Sequence, residues 1–345
     1  MATITTRVLQ GFDDPSFGPE LWEELMRKSG NSNIFLTWYW QRAWWETCGN
    51  GELLLITAER EGDIVALAPF YTKSGMIYFV CTGFESDHLD FIGDISDPAV
   101  LKALLETARD RVPEFEGFEL YFVPGRSGTG KQLERTAEGL GLSCYADDET
   151  NPVIDIAGHP EIALATTRKK SLLRHERLLT REGPLHVTHL RDGDAILPYL
   201  DEFFEQHVAR WAGTETPSRF VDPRIRALFK RFTSVAARTG WLRFTHLEWK
   251  RRGVASHFGT CYRGNFIWGS ASFAIDLSPY SPGEVLLRQL LLAAIEEGAR
   301  TFDFRTGSQP FKLRFATHVN PVHTWSMYPA KLKSLSTHDA AEALP

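Results

Sequence analysis

An apolar run from Leu53 breaks at the charged turn Glu59-Arg60-Glu61-Gly62-Asp63 and resumes at Ile64-Val65-Ala66-Leu67. This predicts a β-hairpin over 53–71. The plan recurs over 242–262, with Lys250-Arg251-Arg252-Gly253 as the turn and Val254-Ala255 opening the return strand. In both turns the glycine is expected to supply the positive φ that a tight hairpin needs. Each hairpin is followed by a helical pattern and then a strand: 99–111 and 118–123 in the first half, 284–297 and 301–305 in the second. The offset from Gly62 to Gly253 nearly matches that from Leu120 to Asp303. A constant offset over several elements indicates an internal duplication. The expected organisation is two related α/β units, residues 1–155 and 156–330, with a flexible tail over 331–345.

Two further segments read as amphipathic helices. Arg168 to Arg181 sets Leu172, Leu173, Leu178 and Leu179 against Arg168, Lys169, Lys170, Arg174, Arg177 and Arg181, and Gly183-Pro184 closes it. From Ile196 to Trp211, one side carries Tyr199, Leu200, Phe203, Phe204 and His207.

Composition narrows the function classes. The net charge of −6 argues against broad nucleic-acid binding, so no DNA partner is expected. No signal peptide and no membrane span are read: the longest apolar stretch, 285–295, is interrupted by Arg288 and Gln289. Cys48, Cys81, Cys144 and Cys261 are scattered, which fits reduced thiols in the cytoplasm and no thiolate metal site.

Three motifs carry candidate chemistry. Ser281-Pro282-Gly283-Glu284 opens the helical run at Val285-Leu286-Leu287. It suits an anion seated on free backbone N–H groups, and equally a capping box between Ser281 and Glu284. In the strand Arg300 to Arg305, alternation puts Thr301, Asp303 and Arg305 opposite Phe302 and Phe304. A buried Asp303 needs a partner, for which Lys312, Arg305 and Arg314 are candidates, either as a structural ion pair or as a cleft group acting on an acceptor. Gly125 to Gln132 nearly matches a phosphate-binding loop, but Gln132 stands where the metal-binding hydroxyl belongs, so a glycine-rich surface loop is expected. His257, on the return strand, is a candidate base or a core histidine; His186 and His189 point to opposite faces of a strand and predict no metal site.

The order of these pieces resembles the CelD-like branch of the GNAT-fold acyltransferases, named for a cellulose-biosynthesis protein and related to FemAB-type peptidoglycan-bridge enzymes. The matching stretches are Phe35 to Trp38, Trp44-Trp45, Asp87 to Asp90, Lys170 to Arg174, His207 to Trp211, Ser281 to Leu287, and Gly298 through Asp303 and Gly307 to Lys312. The resemblance implies two tandem GNAT-like units, each a mixed, mostly antiparallel sheet flanked by helices, with donor binding lost from the first. It implies acetyl-CoA or another acyl-CoA as cosubstrate, held by Val254, Ala255, Ser281, Pro282, Gly283, Leu286 and Leu287. Asp303, Lys312 and His257 would be catalytic, and Asp87, His88, Arg174, Trp211, Arg305 and Gly307 would meet the acceptor. That acceptor would be the amino group of a small molecule, amino sugar or glycan precursor. A tRNA-dependent aminoacyl transferase of FemAB type and a non-catalytic accessory protein of polysaccharide biosynthesis are the alternatives.

Overall fold

A computed structural model describes residues 3–83 and 85–330, so the expected tail at 331–345 lies outside the described residues. In chain order the elements are β1 (Ile4–Val8), α1 (Pro19–Lys28), α2 (Trp38–Cys48), β2 (Glu52–Arg60), β3 (Asp63–Lys73), β4 (Met76–Phe79), β5 (Ile92–Gly93), α3 (Pro98–Arg111), β6 (Gly117–Pro124), α4 (Thr129–Gly139) and β7 (Leu142–Asp155). Then come α5 (Pro160–Thr167), α6 (Lys170–Arg181), β8 (Leu185–Leu190), α7 (Gly193–Ile196), α8 (Leu200–Trp211), α9 (Pro223–Val235), β9 (Leu242–Trp249), β10 (Arg252–Tyr262), β11 (Asn265–Phe273), α10 (Pro282–Glu296), β12 (Thr301–Asp303), α11 (Pro310–Phe315) and β13 (His318–Pro329).

Two compact units form, but not as consecutive halves split near residue 155. Residues 3–18, 50–148 and 323–330 make the first; 19–49 and 149–322 make the second. Helices α1 and α2 therefore belong with the later chain. The reason is apolar: Trp40 of α2 meets Phe232 and Phe229 of α9 at 4.8 and 6.3 Å between ring centroids. A linear reading of the chain does not register a contact so remote in sequence.

In the first unit the strands run β1-β2-β3-β4-β6, followed by its parts of β13 and β7. β1 with β2, β2 with β3 and β3 with β4 pair antiparallel, and β4 with β6 parallel. Helix α3 covers this sheet with Val100, Leu101, Leu104, Leu105 and Ala108, one apolar stripe at helical spacing. The glycine-rich loop precedes α4, where Gly128 takes a positive φ and Thr129 donates to the buried Asp90 carboxyl at 2.8 Å. Residues 125–128 are exposed, as expected of a surface loop, while a Cβ on Gly130, inside α4, would stand 2.3 Å from the Trp325 ring.

In the second unit the order is β7-β12-β11-β10-β9-β8, antiparallel except for β11 with β12. Helix α10 buries Val285, Leu286, Leu287, Leu290, Leu291 and Ala294 against a core that includes Phe266, Phe302 and Phe304.

Both hairpins form, and their turns differ. In the first, Glu61 and Gly62 both take positive φ. In the second, Lys250 and Arg251 take it, at 53° and 63°, while Gly253 lies inside β10. Gly253 answers to space instead: a Cβ there would stand 2.7 Å from the His246 ring and 2.8 Å from the Glu202 carboxylate. Among the described residues no helix is long and apolar enough to cross a membrane, and no cluster of His, Cys, Asp or Glu could hold a metal ion.

Candidate active site

The second unit opens where two parallel strands part. β11 and β12 pair over Asn265–Thr301, Phe266–Phe302 and Ile267–Asp303, and there the ladder stops. Arg305 takes φ of 66°, so strand alternation does not reach it. β11 continues to Phe273, paired through its other edge with β10. The edge of β11 beyond Ile267 that faces away from β10 therefore has no strand ladder.

Beside this gap α10 begins. Ser281 sits in the left-handed region at φ 52° and makes no side-chain cap. Its carbonyl accepts from the Glu284 and Val285 amides at 3.0 and 3.3 Å. The Glu284 carboxylate turns away from the helix start: Oε2 accepts from His175 Nδ1 at 2.9 Å, and Oε1 from Arg314 at 3.0 Å. The capping box allowed by the sequence does not form. The opposite arrangement holds at α3, where Asp97 caps the Ala99 amide at 2.9 Å and pairs with Arg60 at 2.6 Å. One helix start is capped by its own carboxylate; the other has no side-chain cap, and its first-turn carboxylate, Glu284, is bonded to His175 and Arg314.

Cations gather at the start of α10. Arg314 also bonds Ser171 of α6, and Lys169 donates to the Arg314 carbonyl at 2.6 Å above the Phe315 ring. Burial and the neighbouring Arg314 lower the Lys169 pKa. Arg174 donates to His175 Nε2 at 3.0 Å, which leaves His175 Nδ1–H to donate to Glu284. Gly283 lies against Phe273, where a Cβ would stand 3.3 Å from the ring.

Asp303 is buried at the end of β12, with Phe302 and Phe304 in the core as alternation predicts. Its carboxylate accepts from the Asn151 side-chain amide at 2.6 Å and the Arg305 backbone N–H at 2.7 Å. Arg314, one expected partner, goes to Glu284 instead. Lys312 is buried too, and its ammonium donates to the Thr306 and Arg305 carbonyls at 2.8 and 3.4 Å. Arg305 lays its guanidinium over the Phe35 ring, and Gly307, at φ 125°, donates its N–H to the Thr150 carbonyl at 2.7 Å. Asp303, Arg305, Gly307 and Lys312 thus share one turn of chain.

The other expected residues are placed differently. Ala255 is paired on both sides, with Leu247 and Phe273, and the Val254 carbonyl accepts from Ala274. That backbone is taken up by the sheet; the open edge belongs to β11. Leu286 and Leu287 point into the core, and Pro282 is buried. His257 is fully buried: its Nε2 accepts from the Gly269 N–H at 3.1 Å, and burial drives its pKa down to about 3. It is a neutral core histidine serving the irregularity in β10. Trp211 ends α8 with Arg210 stacked on its ring at 4.9 Å; Arg210 also covers Phe273 at 4.5 Å. Asp87 and His88 lie in a loop of the first unit.

Three neighbours of these residues escaped the sequence. Asn151 sits in a polar run that marks no partner, and His175 was hidden among the charges of α6. Trp268, on β11 just past the point where the ladder stops, packs on the core with its ring centroid 6.3 Å from that of Phe304 and 6.5 Å from that of Phe311. Its place on a strand following a hairpin was the one available signal.

Residues 166–313 match the family model of an acetyltransferase (GNAT) domain. No curated protein sequence matches the chain. Among solved structures, FemX superposes with a TM-score of 0.63 at 12% identity, covering 89% of this chain and 96% of its own. The structure of L-PGS from Bacillus licheniformis gives 0.57 at 13%, covering 90% and 91%. A tandem GNAT protein from the clavulanic acid biosynthesis pathway gives 0.50 at 11%, covering 94% and 98%. The fold is the tandem GNAT fold.

Proposed function

We propose that the protein is an N-acyltransferase of the CelD-like kind that takes its acyl group from acetyl-CoA or another acyl-CoA. The acceptor would be the amino group of a small molecule or a cell-envelope or exopolysaccharide precursor, in the cytoplasm. The observation that carries this reading is the contrast between the two helix starts. At α10 the N-cap makes no side-chain bond, and the one carboxylate of the first turn, Glu284, is bonded to His175 and Arg314, with Lys169 on the Arg314 carbonyl, a setting for a pyrophosphate. At α3 the Asp97 carboxylate already fills that role, so the donor belongs to the second unit.

The residues present fit such a donor. The unladdered edge of β11 offers backbone groups to a pantetheine arm, and Gly283 keeps the helix start low. Trp268 and Phe304 line the gap where the acyl group would end. The acceptor amine attacks the thioester carbonyl, the C–N bond forms, and the C–S bond breaks to release the thiol. Asp303, held by Asn151, would orient the amine or take its proton, and the Lys312 ammonium would favour the developing negative oxygen.

Titration calorimetry with CoA and acetyl-CoA tests the donor. Saturable binding that a bulky residue at position 283 weakens is the expected result. Absence of heat at millimolar ligand removes CoA as donor and turns the search to aminoacyl-tRNA.

A further inference from the structure

Helix α6 carries Lys170, Arg174, Arg177 and Arg181, spaced four, three and four residues apart. That spacing sets them in one stripe along the helix. All four are exposed, opposite the buried Leu172, His175 and Leu179. Arg168 is exposed just ahead of them. Among the described residues none of these five cations forms an ion pair, and the two acids of the α6 segment, Glu176 and Glu182, are committed elsewhere. Glu176 pairs with Arg288 at 2.8 Å, and Glu182 with Lys250 at 3.3 Å. An unneutralised stripe on a chain of net charge −6 is a local feature of this face.

Exposed apolar side chains lie on the two helices that adjoin the start of α6. On α5, immediately before it, Ile162 and Leu164 are 46% and 37% exposed. On α11, Phe311 and Leu313 are 43% and 44% exposed. The bond from Lys169 to the Arg314 carbonyl ties the start of α6 to α11. A nucleic acid would neutralise the cations and leave these apolar groups in water. A bilayer takes both: anionic headgroups attract the arginines, and the interface accepts the apolar side chains.

We propose that this face docks the protein on an anionic lipid bilayer, with the Lys170–Arg181 stripe on the headgroups and Ile162, Leu164, Phe311 and Leu313 entering the interface. The docking stands apart from the identity of the donor. If the acyl-transfer reading also holds, the Arg314 and His175 bonds to Glu284 bring the donor end of α10 beside the membrane, where a lipid-anchored amine could reach it.

Co-sedimentation of the full chain with vesicles tests the proposal. Vesicles of phosphatidylcholine mixed with phosphatidylglycerol should retain the protein at low salt, and those of phosphatidylcholine alone should not. Arg177→Glu with Arg181→Glu should lower the partition at least about tenfold, since each cation near the surface contributes independently. Ile162→Ser with Leu164→Ser should also lower it, without changing the salt dependence. Circular dichroism should show all variants folded; Arg177→Gln with Arg181→Gln serves if the reversal does not fold. CoA calorimetry on the same variants should be unchanged, which separates this test from that of the donor. Equal recovery on both vesicle types overturns docking, and so does indifference to the arginine changes. A tRNA gel shift lost in the arginine variants, with no vesicle binding in the parent, assigns the stripe to nucleic acid instead.

Discussion

His175 Nδ1 donates to Glu284 Oε2 at 2.9 Å, and this bond holds a carboxylate on the first turn of α10 but off its axis. Helix dipoles favour acids at that position, so Glu284 suits the helix and opposes any incoming anion. Glu284→Gln keeps an acceptor for His175 and removes the charge. Calorimetry should show CoA binding roughly two- to tenfold more tightly, as expected from losing a like charge near a partly exposed site. Weaker binding would mean that Glu284 acts chiefly by holding Arg314.

Gly283 lies where a Cβ already touches Phe273 at 3.3 Å. Gly283→Val should lower CoA affinity by about tenfold or more, because the added bulk shields the helix-start N–H groups. The thermal midpoint should fall by only a few degrees, since the position is in the first helical turn. A large loss of stability with no loss of affinity would move the donor away from α10.

Asn151 donates to Asp303 at 2.6 Å in a buried setting. Asn151→Ala should leave that carboxylate short of a donor and reduce kcat by about tenfold or more, with little change in CoA affinity. Asp303→Ala should do the same more strongly. Unchanged turnover in both would take Asp303 out of the mechanism.

Trp268 follows the end of the β11–β12 ladder and packs against Phe304 and Phe311. Trp268→Ala should shift preference toward longer acyl-CoA donors, read as the ratio of kcat/KM for octanoyl-CoA to that for acetyl-CoA. No shift would place the acyl end elsewhere.

Asp90 gives a pH prediction. Burial raises its pKa to about 6, offset by bonds from Thr129 and Ser127 and from the Phe91 amide. A raised folded value means that the folded chain holds its proton more tightly than the unfolded one. Stability from this group is therefore complete below about pH 4 and is lost as pH rises through about 6, a cost on the order of 3 kcal/mol. Asp90→Asn should remove that slope between pH 4 and 7 in denaturant titrations. An unchanged slope would assign it to other groups.

Apolar patterning determined much of this protein. The two hairpins, the helix after each, and the inward Phe302 and Phe304 all follow from alternation and helical spacing, which are local rules. The Ser281-Pro282-Gly283 helix start was also legible, because proline and glycine restrict or free the backbone where they stand. The tertiary structure decided what those residues touch. Ser281, Pro282 and Glu284 spell a capping box, yet the Glu284 carboxylate bonds His175 and Arg314, from helices distant in sequence, and not the helix end. Asp303 required a partner, and the sheet brought Asn151, remote in sequence, to its carboxylate. Val254 and Ala255 lie in the expected strand but between two others, so the open backbone passed to β11. Sequence fixes the directions of side chains along each element, and only packing decides which groups from remote elements meet them.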